Sequence, residues 1–257
     1  MRYAFQVAYD GARYFGFARQ PGLPTAEGEL LKALKECGLC HEPAEARYQV
    51  AARTDRGVSA VCQVIALDVL KRPNVRTLNA RLPPDIAILA ATEVPSSFDA
   101  RRHAISKSYR YVCEAPPGFS LTRARTAAKL MLGRHDFWSF CKHERGKSTI
   151  GELEKIKIGG RKSLTFDFMA PAFLWQQVRR MVSALLSVGV GKLDLRDFKR
   201  MRGQRQGQLH SPAPPEGLVL MRVDYHGVKF RSNRRRSAKF TNLLKRIRSR
   251  ISIATAK

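Results

Sequence analysis

In the run Arg53-Thr54-Asp55-Arg56-Gly57-Val58, one carboxylate lies between two arginines, with a glycine directly after them. The segment Arg47 to Ala51 reads as a strand. Ser59 to Val69 reads as another, rich in the β-branched and aliphatic residues that strands favour. Asp55 is therefore expected on a short connection between two buried strands, where a rigid scaffold presents chemistry. Guanidinium groups beside a carboxylate favour its ionised form. A charged carboxylate inside a basic protein suggests a catalytic group facing a polyanion; the residues alone also allow a structural Arg-Asp pair closing a turn.

The balance of charge speaks about partners. Among 257 residues, 47 Lys and Arg oppose 21 Asp and Glu, a formal +26. Ten of the basic residues and no acidic one fall between Arg231 and Lys257; without that tail, 37 basic against 21 acidic residues still leave +16. Such an excess points to phosphate backbones or anionic membranes. No apolar run reaches the roughly 20 residues a spanning helix needs, so nucleic acid is the expected partner and no membrane association is expected. The tail 231–257 reads as a solvated, partly disordered arm. Leu243, Leu244, Ile247 and Ile251 at helical spacing also allow an amphipathic basic helix forming on RNA.

Other motifs fall away. Cys37-Gly38-Leu39-Cys40-His41 has the haem-attachment pattern but follows an amphipathic run, so it reads as a helix end and loop. No second Cys/His pair at a suitable spacing supports a zinc site. Gly146-Lys147-Ser148-Thr149 lacks the glycine that a phosphate loop requires at position 141, where Cys141 stands. Gly189-Val190-Gly191-Lys192 reads as a helix C-terminus. Five scattered cysteines and no signal pattern fit a reducing cytoplasm. With no metal, cofactor or dinucleotide motif, the chemistry has to rely on the carboxylate.

The elements that must position it form an α+β pattern. Arg2 to Tyr9 is expected as a half-buried strand, and Ala26 to Glu36 as a helix capped by Thr25. Ile86 to Val94, Ser106 to Glu114, Leu164 to Ala170 and Leu218 to Tyr225 read as strands; Thr122 to Leu132 and Phe173 to Val188 read as helices. Strand and helix pairs recur in each half, with a boundary near Asp99 to Ala104. This suggests an N-terminal unit 1–103 carrying the Asp55 loop, a C-terminal unit 104–230 and the tail.

Taken in order, these residues resemble the TruA family of tRNA pseudouridine synthases over about the first 226 residues. Tyr9-Asp10-Gly11 with Phe15-Gly16-Phe17 resembles the opening element of that family, and Arg53 to Val58 its catalytic loop. Asn79 with Leu82-Pro83-Pro84-Asp85-Ile86, Phe98-Asp99-Ala100-Arg101 and Lys107-Ser108-Tyr109-Arg110-Tyr111 are similar to its next elements. Gly133 to Phe137, Phe173-Leu174 with Gln177 to Val182, and Ala213 to Leu218 are similar to its later ones.

The resemblance implies the pseudouridine synthase fold: two similar α/β units with mainly antiparallel sheets joined into one extended sheet, helices on one face and a catalytic cleft between the units. It implies isomerisation of uridine to pseudouridine in the anticodon stem-loop of tRNA, nucleotides 38 to 40, by base flipping and without cofactor or metal. Asp55 matches the essential aspartate, either attacking the sugar C1′ or removing a proton to give a glycal. Arg53 matches the arginine that fills the vacated space, and Tyr109 the tyrosine that packs on the uracil. Arg179 matches an arginine supporting the aspartate; Arg56 and Leu218 complete the substrate-binding set. A cytoplasmic homodimer is the family's habit. The competing reading is a non-catalytic tRNA-binding protein or RNA chaperone with the same fold. The chain departs from the family at Ala52, Ser59, Phe17-Ala18 and Trp175-Gln176-Gln177, which bears on loop fit and choice of nucleotide.

Overall fold

The computed structural model describes residues 1–201, 211–230 and 238–254. The chain folds as two α+β units: Met1–Ile105 with Val219–Arg250, and a second built on Ser106–Leu218. The chain leaves the second unit at Leu218, not at residue 230, the end that the sequence suggests.

In the first unit, β1 (Arg2–Tyr9) leads through α1 (Ala26–Glu36) to the short β2 (Gln49–Val50) and to β3 (Ser59–Asp68). Then come α2 (Val75–Arg81) and β4 (Ile86–Glu93). β1 pairs antiparallel with both β3 and β4, so it lies inside the sheet. Every one of its residues is buried, not only those on the expected half. The second face carries two polar side chains, and both find partners. Gln6 donates to Cys62 Sγ, and Arg2 bonds Phe98 O at 2.6 Å, Asp68 at 3.0 Å and Gln49 at 2.8 Å. A buried guanidinium is tolerated only when its donors are matched in this way.

α1 begins where its sequence says it should: Thr25 Oγ1 accepts from Gly28 N, Glu27 and Glu29 occupy the first turn, and Leu30 and Leu34 point inward. Full burial of each leucine stabilises by roughly 2 kcal/mol. The segment from Arg47 is strand only at Gln49–Val50, because Arg47 takes a φ of 45°.

The second unit opens on β5 (Ala104–Glu114), followed by α3 (Leu121–Leu130), β6 (Gly133–Asp136), β7 (Ile150–Leu153), β8 (Lys155–Gly160) and β9 (Ser163–Ala170). β9 pairs antiparallel with both β5 and β8, and β6 with β7 forms a separate ribbon. Helices α4 (Gln177–Gly189) and α5 (Leu195–Met201) pack with α3. α4 starts at Gln177 and not at Phe173, because Gln176 adopts a left-handed φ of 59° and Leu174 N bonds the Gln177 side chain at 2.8 Å. At its other end Gly191, at φ 78°, donates to Val188 O, the glycine C-terminus expected there.

β10 (Leu218–Tyr225) returns to the first unit, running parallel to β3 with Val219 opposite Ser59. The chain then forms α6 (Ala238–Ala254), so this part of the tail is helix and not disordered arm; residues 231–237 and 255–257 of the tail lie outside the described residues. Among the described residues, no helix is long and apolar enough to cross a membrane.

Candidate active site

The Asp55 loop joins β2 to β3, as its sequence suggests, and its course is set almost wholly by backbone contacts. At its entry Ala51 N bonds Val64 O at 2.9 Å. The fully buried Gln63 amide then clasps Ala52 on both backbone groups, donating to its carbonyl at 2.6 Å and accepting from its N–H at 3.2 Å. Thr54 is the inward residue: its hydroxyl meets Tyr9 OH at 2.7 Å, and its carbonyl accepts from Phe17 N at 3.1 Å. Burial pushes the Tyr9 phenol well above its usual range, which keeps it a neutral partner. Val58 N closes a turn on Asp55 O at 3.1 Å, with Gly57 at φ 81° in the third position, as a type II turn demands. With Thr54 turned in, Arg53 and Arg56 are exposed and Asp55 is half-buried.

Two glycines of the opening element exist for this loop. A β-carbon on Gly11 would stand 2.1 Å from Val58 O; one on Gly16 would stand 3.1 Å from Thr54 O and 3.3 Å from Arg56 N, at a φ of 101°. The YDG and FGF pieces are thus a floor on which the loop rests. Between them, Phe15 carries the Arg56 guanidinium 4.1 Å above its ring, an arrangement worth about 0.5–1 kcal/mol at an exposed site. The guanidinium stays exposed there.

In the second unit, strand alternation places Tyr109 and Tyr111 on the same buried face of β5. The Tyr109 ring meets Phe173 edge-on, 5.1 Å between centroids and 87° between planes. Arg179, on α4 and 9% exposed, donates from Nε to Ala213 O at 2.7 Å, while Ala213 N donates to Arg179 O at 3.1 Å. This double link fastens the segment before β10 to α4. Burial raises the Tyr111 phenol, with Cys113 adding to the rise, Arg179 opposing it and Glu216 adding a little more. Gly217 is required next to that ring: a β-carbon there would meet Val112 O at 2.5 Å and the Tyr111 ring at 2.8 Å. Leu218 follows, buried at the first position of β10.

Sequence reading missed Gln63, Thr54 and Gly217 as positioning residues. A glutamine in an otherwise apolar strand was the available signal for Gln63. The departures from the family pattern have local accounts. Ser59 is fully buried; its hydroxyl accepts from Gly11 N at 3.0 Å and donates to Asp10 at 3.4 Å. Phe17 is buried against Tyr9, 5.5 Å between rings. Trp175 is 41% exposed with Lys142 Nζ 3.9 Å over its ring. Cys37 caps the C-terminus of α1, so the CxxCH run is a helix end, and none of the five cysteines is in a disulfide. Among the described residues, no group of three or more His, Cys, Asp and Glu gathers as metal ligands would.

Comparison with known proteins adds three relatives and a family. A family model described as tRNA pseudouridine synthase matches residues 127–226. A Thermococcus kodakarensis protein named tRNA pseudouridine synthase A is 41% identical over 234 residues, covering 90% of this chain and 87% of its own length. A Pyrococcus abyssi protein of the same name is 40% identical over 245 residues, 93% and 90% of the two chains. One from Methanosarcina mazei is 41% identical over 233 residues, 88% and 85% of the two chains.

Proposed function

Because the chain belongs to the tRNA pseudouridine synthase A family, we propose that it isomerises uridine to pseudouridine in tRNA, in the anticodon stem-loop at nucleotides 38 to 40. The observation that carries this reading is the Asp55 loop: a half-buried carboxylate between two exposed arginines, on a turn that Gly11 and Gly16 lock from beneath. A polyanionic substrate explains the arginines, and a reaction needing one fixed carboxylate explains the rigid floor.

The reaction breaks the bond between N1 and C1′ and forms one between C5 and C1′. C5 loses its proton and N1 gains one, so nothing is oxidised and no group leaves for a second substrate. Asp55 acts as nucleophile at C1′ or as base toward the sugar. The target uridine has to leave its stack, at a cost of a few kcal/mol. In this reading Arg53 fills the space left behind, Tyr109 packs on the uracil and Arg179 contributes charge. Arg56, held on Phe15, takes a phosphate, and Leu218 lines the pocket. Exposed Trp175 with Lys142 over it is the kind of surface on which unpaired bases stack.

Tritium release from tRNA labelled at uracil C5 tests the assignment. The parent chain is expected to release tritium, and Asp55→Asn to release none. Equal release from both would remove Asp55 from the chemistry, and tight binding of tRNA with no release from the parent would make the protein a binder only. The same reading takes the protein to be a cytoplasmic homodimer, with the family resemblance as its support; sedimentation at micromolar concentration tests the oligomeric state.

A further inference from the structure

Helix α6 is amphipathic, and its apolar side is already in use. Phe240, Leu243 and Ile247 recur at helical spacing and are 5%, 0% and 2% exposed. Lys239 anchors the helix start to the end of α2, its Nζ donating to Asn79 O at 2.6 Å and Leu82 O at 2.8 Å, two carbonyls that the end of a helix leaves unpaired. The outward side carries Lys245, Arg246 and Arg248, all exposed, among exposed Thr241, Asn242 and Ser249. At about 3.6 residues per turn, Lys245 lies opposite the buried row while Arg246 and Arg248 flank it on either side.

No acidic residue occurs from Arg231 to the last residue, so no carboxylate within that stretch offsets these charges. Beneath the helix start, α2 adds exposed Arg76 and Arg81, the latter 3.6 Å from Glu36. A helix meant for a lipid surface keeps its apolar face for the bilayer; here that face is inside the protein. What remains outward is a hydrophilic row of cations, which fits a phosphate backbone. Since the helix is folded and docked beforehand, binding does not have to order it first.

We propose that α6 is a second RNA-binding surface of this protein, a docked helix that contacts tRNA phosphates through Lys245, Arg246 and Arg248. The proposal rests on tRNA being the substrate and adds a contact remote in sequence from the Asp55 loop.

The test is the salt dependence of tRNA binding by the full chain, read apart from turnover. One chain carries Lys245→Gln, Arg246→Gln and Arg248→Gln together; a second carries Arg246→Lys and Arg248→Lys, which keep the charge. Each phosphate contact contributes about 0.7–0.9 to the slope of log affinity against log salt. The glutamine chain is therefore expected to lose about 2–3 from that slope and to bind about tenfold or more weakly near 0.15 M salt, while the lysine chain keeps the parent slope. An unchanged slope in the glutamine chain overturns the proposal. So does an equal loss in the lysine chain, which would mark a structural effect, and so does a loss confined to binding of phosphatidylserine vesicles. A parent that binds tRNA with the charge-dependent slope but releases no tritium would sink the enzymatic reading and leave this surface standing. Tritium release with an unchanged slope would do the reverse.

Discussion

The Asp55 loop of the first unit and the Tyr109-Arg179 region of the second are built in opposite ways. The loop is a backbone object: Gln63 clasps Ala52 by its N–H and C=O, Phe17 N holds Thr54 O, and the turn at Gly57 rests on two residues without side chains. In the second unit, Tyr109 and Arg179 stand on regular elements and are placed by partners far along the chain, Phe173 and Ala213. In the first region the Asp55 side chain should therefore be separable from the groups that hold the loop, whereas in the second Arg179 is itself one of the groups that hold the fold.

The strongest test of that contrast sets Asp55→Ala against Arg179→Ala. Asp55 is a half-buried loop residue, so its loss is predicted to lower tritium release by about 10³-fold or more while the melting temperature barely moves. Arg179→Ala is predicted to lower release too, but with about 1–3 kcal/mol of stability lost in a urea melt, because Ala213 O loses its buried donor. If Arg179→Ala melts like the parent, the contrast fails.

Next come the glycines. Gly11→Ala forces a methyl onto Val58 O, backbone that cannot swing aside, with an expected cost of about 1–3 kcal/mol and poor turnover. Wild-type stability in that variant would mean the loop does not rest on this floor. Gln63→Leu keeps the volume but strips Ala52 of both partners; about 1–2 kcal/mol should go in denaturant titration, with release falling as the loop loosens.

The smallest effect concerns α6, where a side chain and two backbone carbonyls meet. Burial pushes the Lys239 amine down to about 8, with Asp85 opposing the shift. The unfolded chain therefore holds that proton more tightly, so this residue makes stability rise as pH climbs from about 8 toward the ordinary 10.5 and contributes least below 8. In Lys239→Met that segment of the rise should vanish from urea midpoints compared at pH 7.5 and 9.5. An identical rise in parent and variant would assign it to other groups.

Most of the regular elements were legible, because periodicity and caps are local: α1 runs from Ala26 to Glu36 behind its Thr25 cap, and β10 runs from Leu218 to Tyr225, as read from the residues. The short strands β6 to β8 and the helix α5 were not, since a few residues carry too little pattern to separate strand from loop. The apolar spacing of α4 continues back to Phe173, four residues before the helix begins, while the left-handed Gln176 that sets its start carries no composition signal. α6 was legible only as an alternative to a disordered arm: its apolar spacing is in the sequence, but the surface that receives it is not.

The order of motifs along the chain was enough to identify the family, and the Asp55 loop was legible as a short connection between strands, because a loop built on glycines and backbone turns writes its requirements into neighbouring residues. Where Arg179 finds Ala213, why Gly217 has no side chain, and what buries Phe240, Leu243 and Ile247 were decided by tertiary structure alone. Those contacts join residues distant in sequence, and only the folded packing of side chains determines which distant groups come within reach.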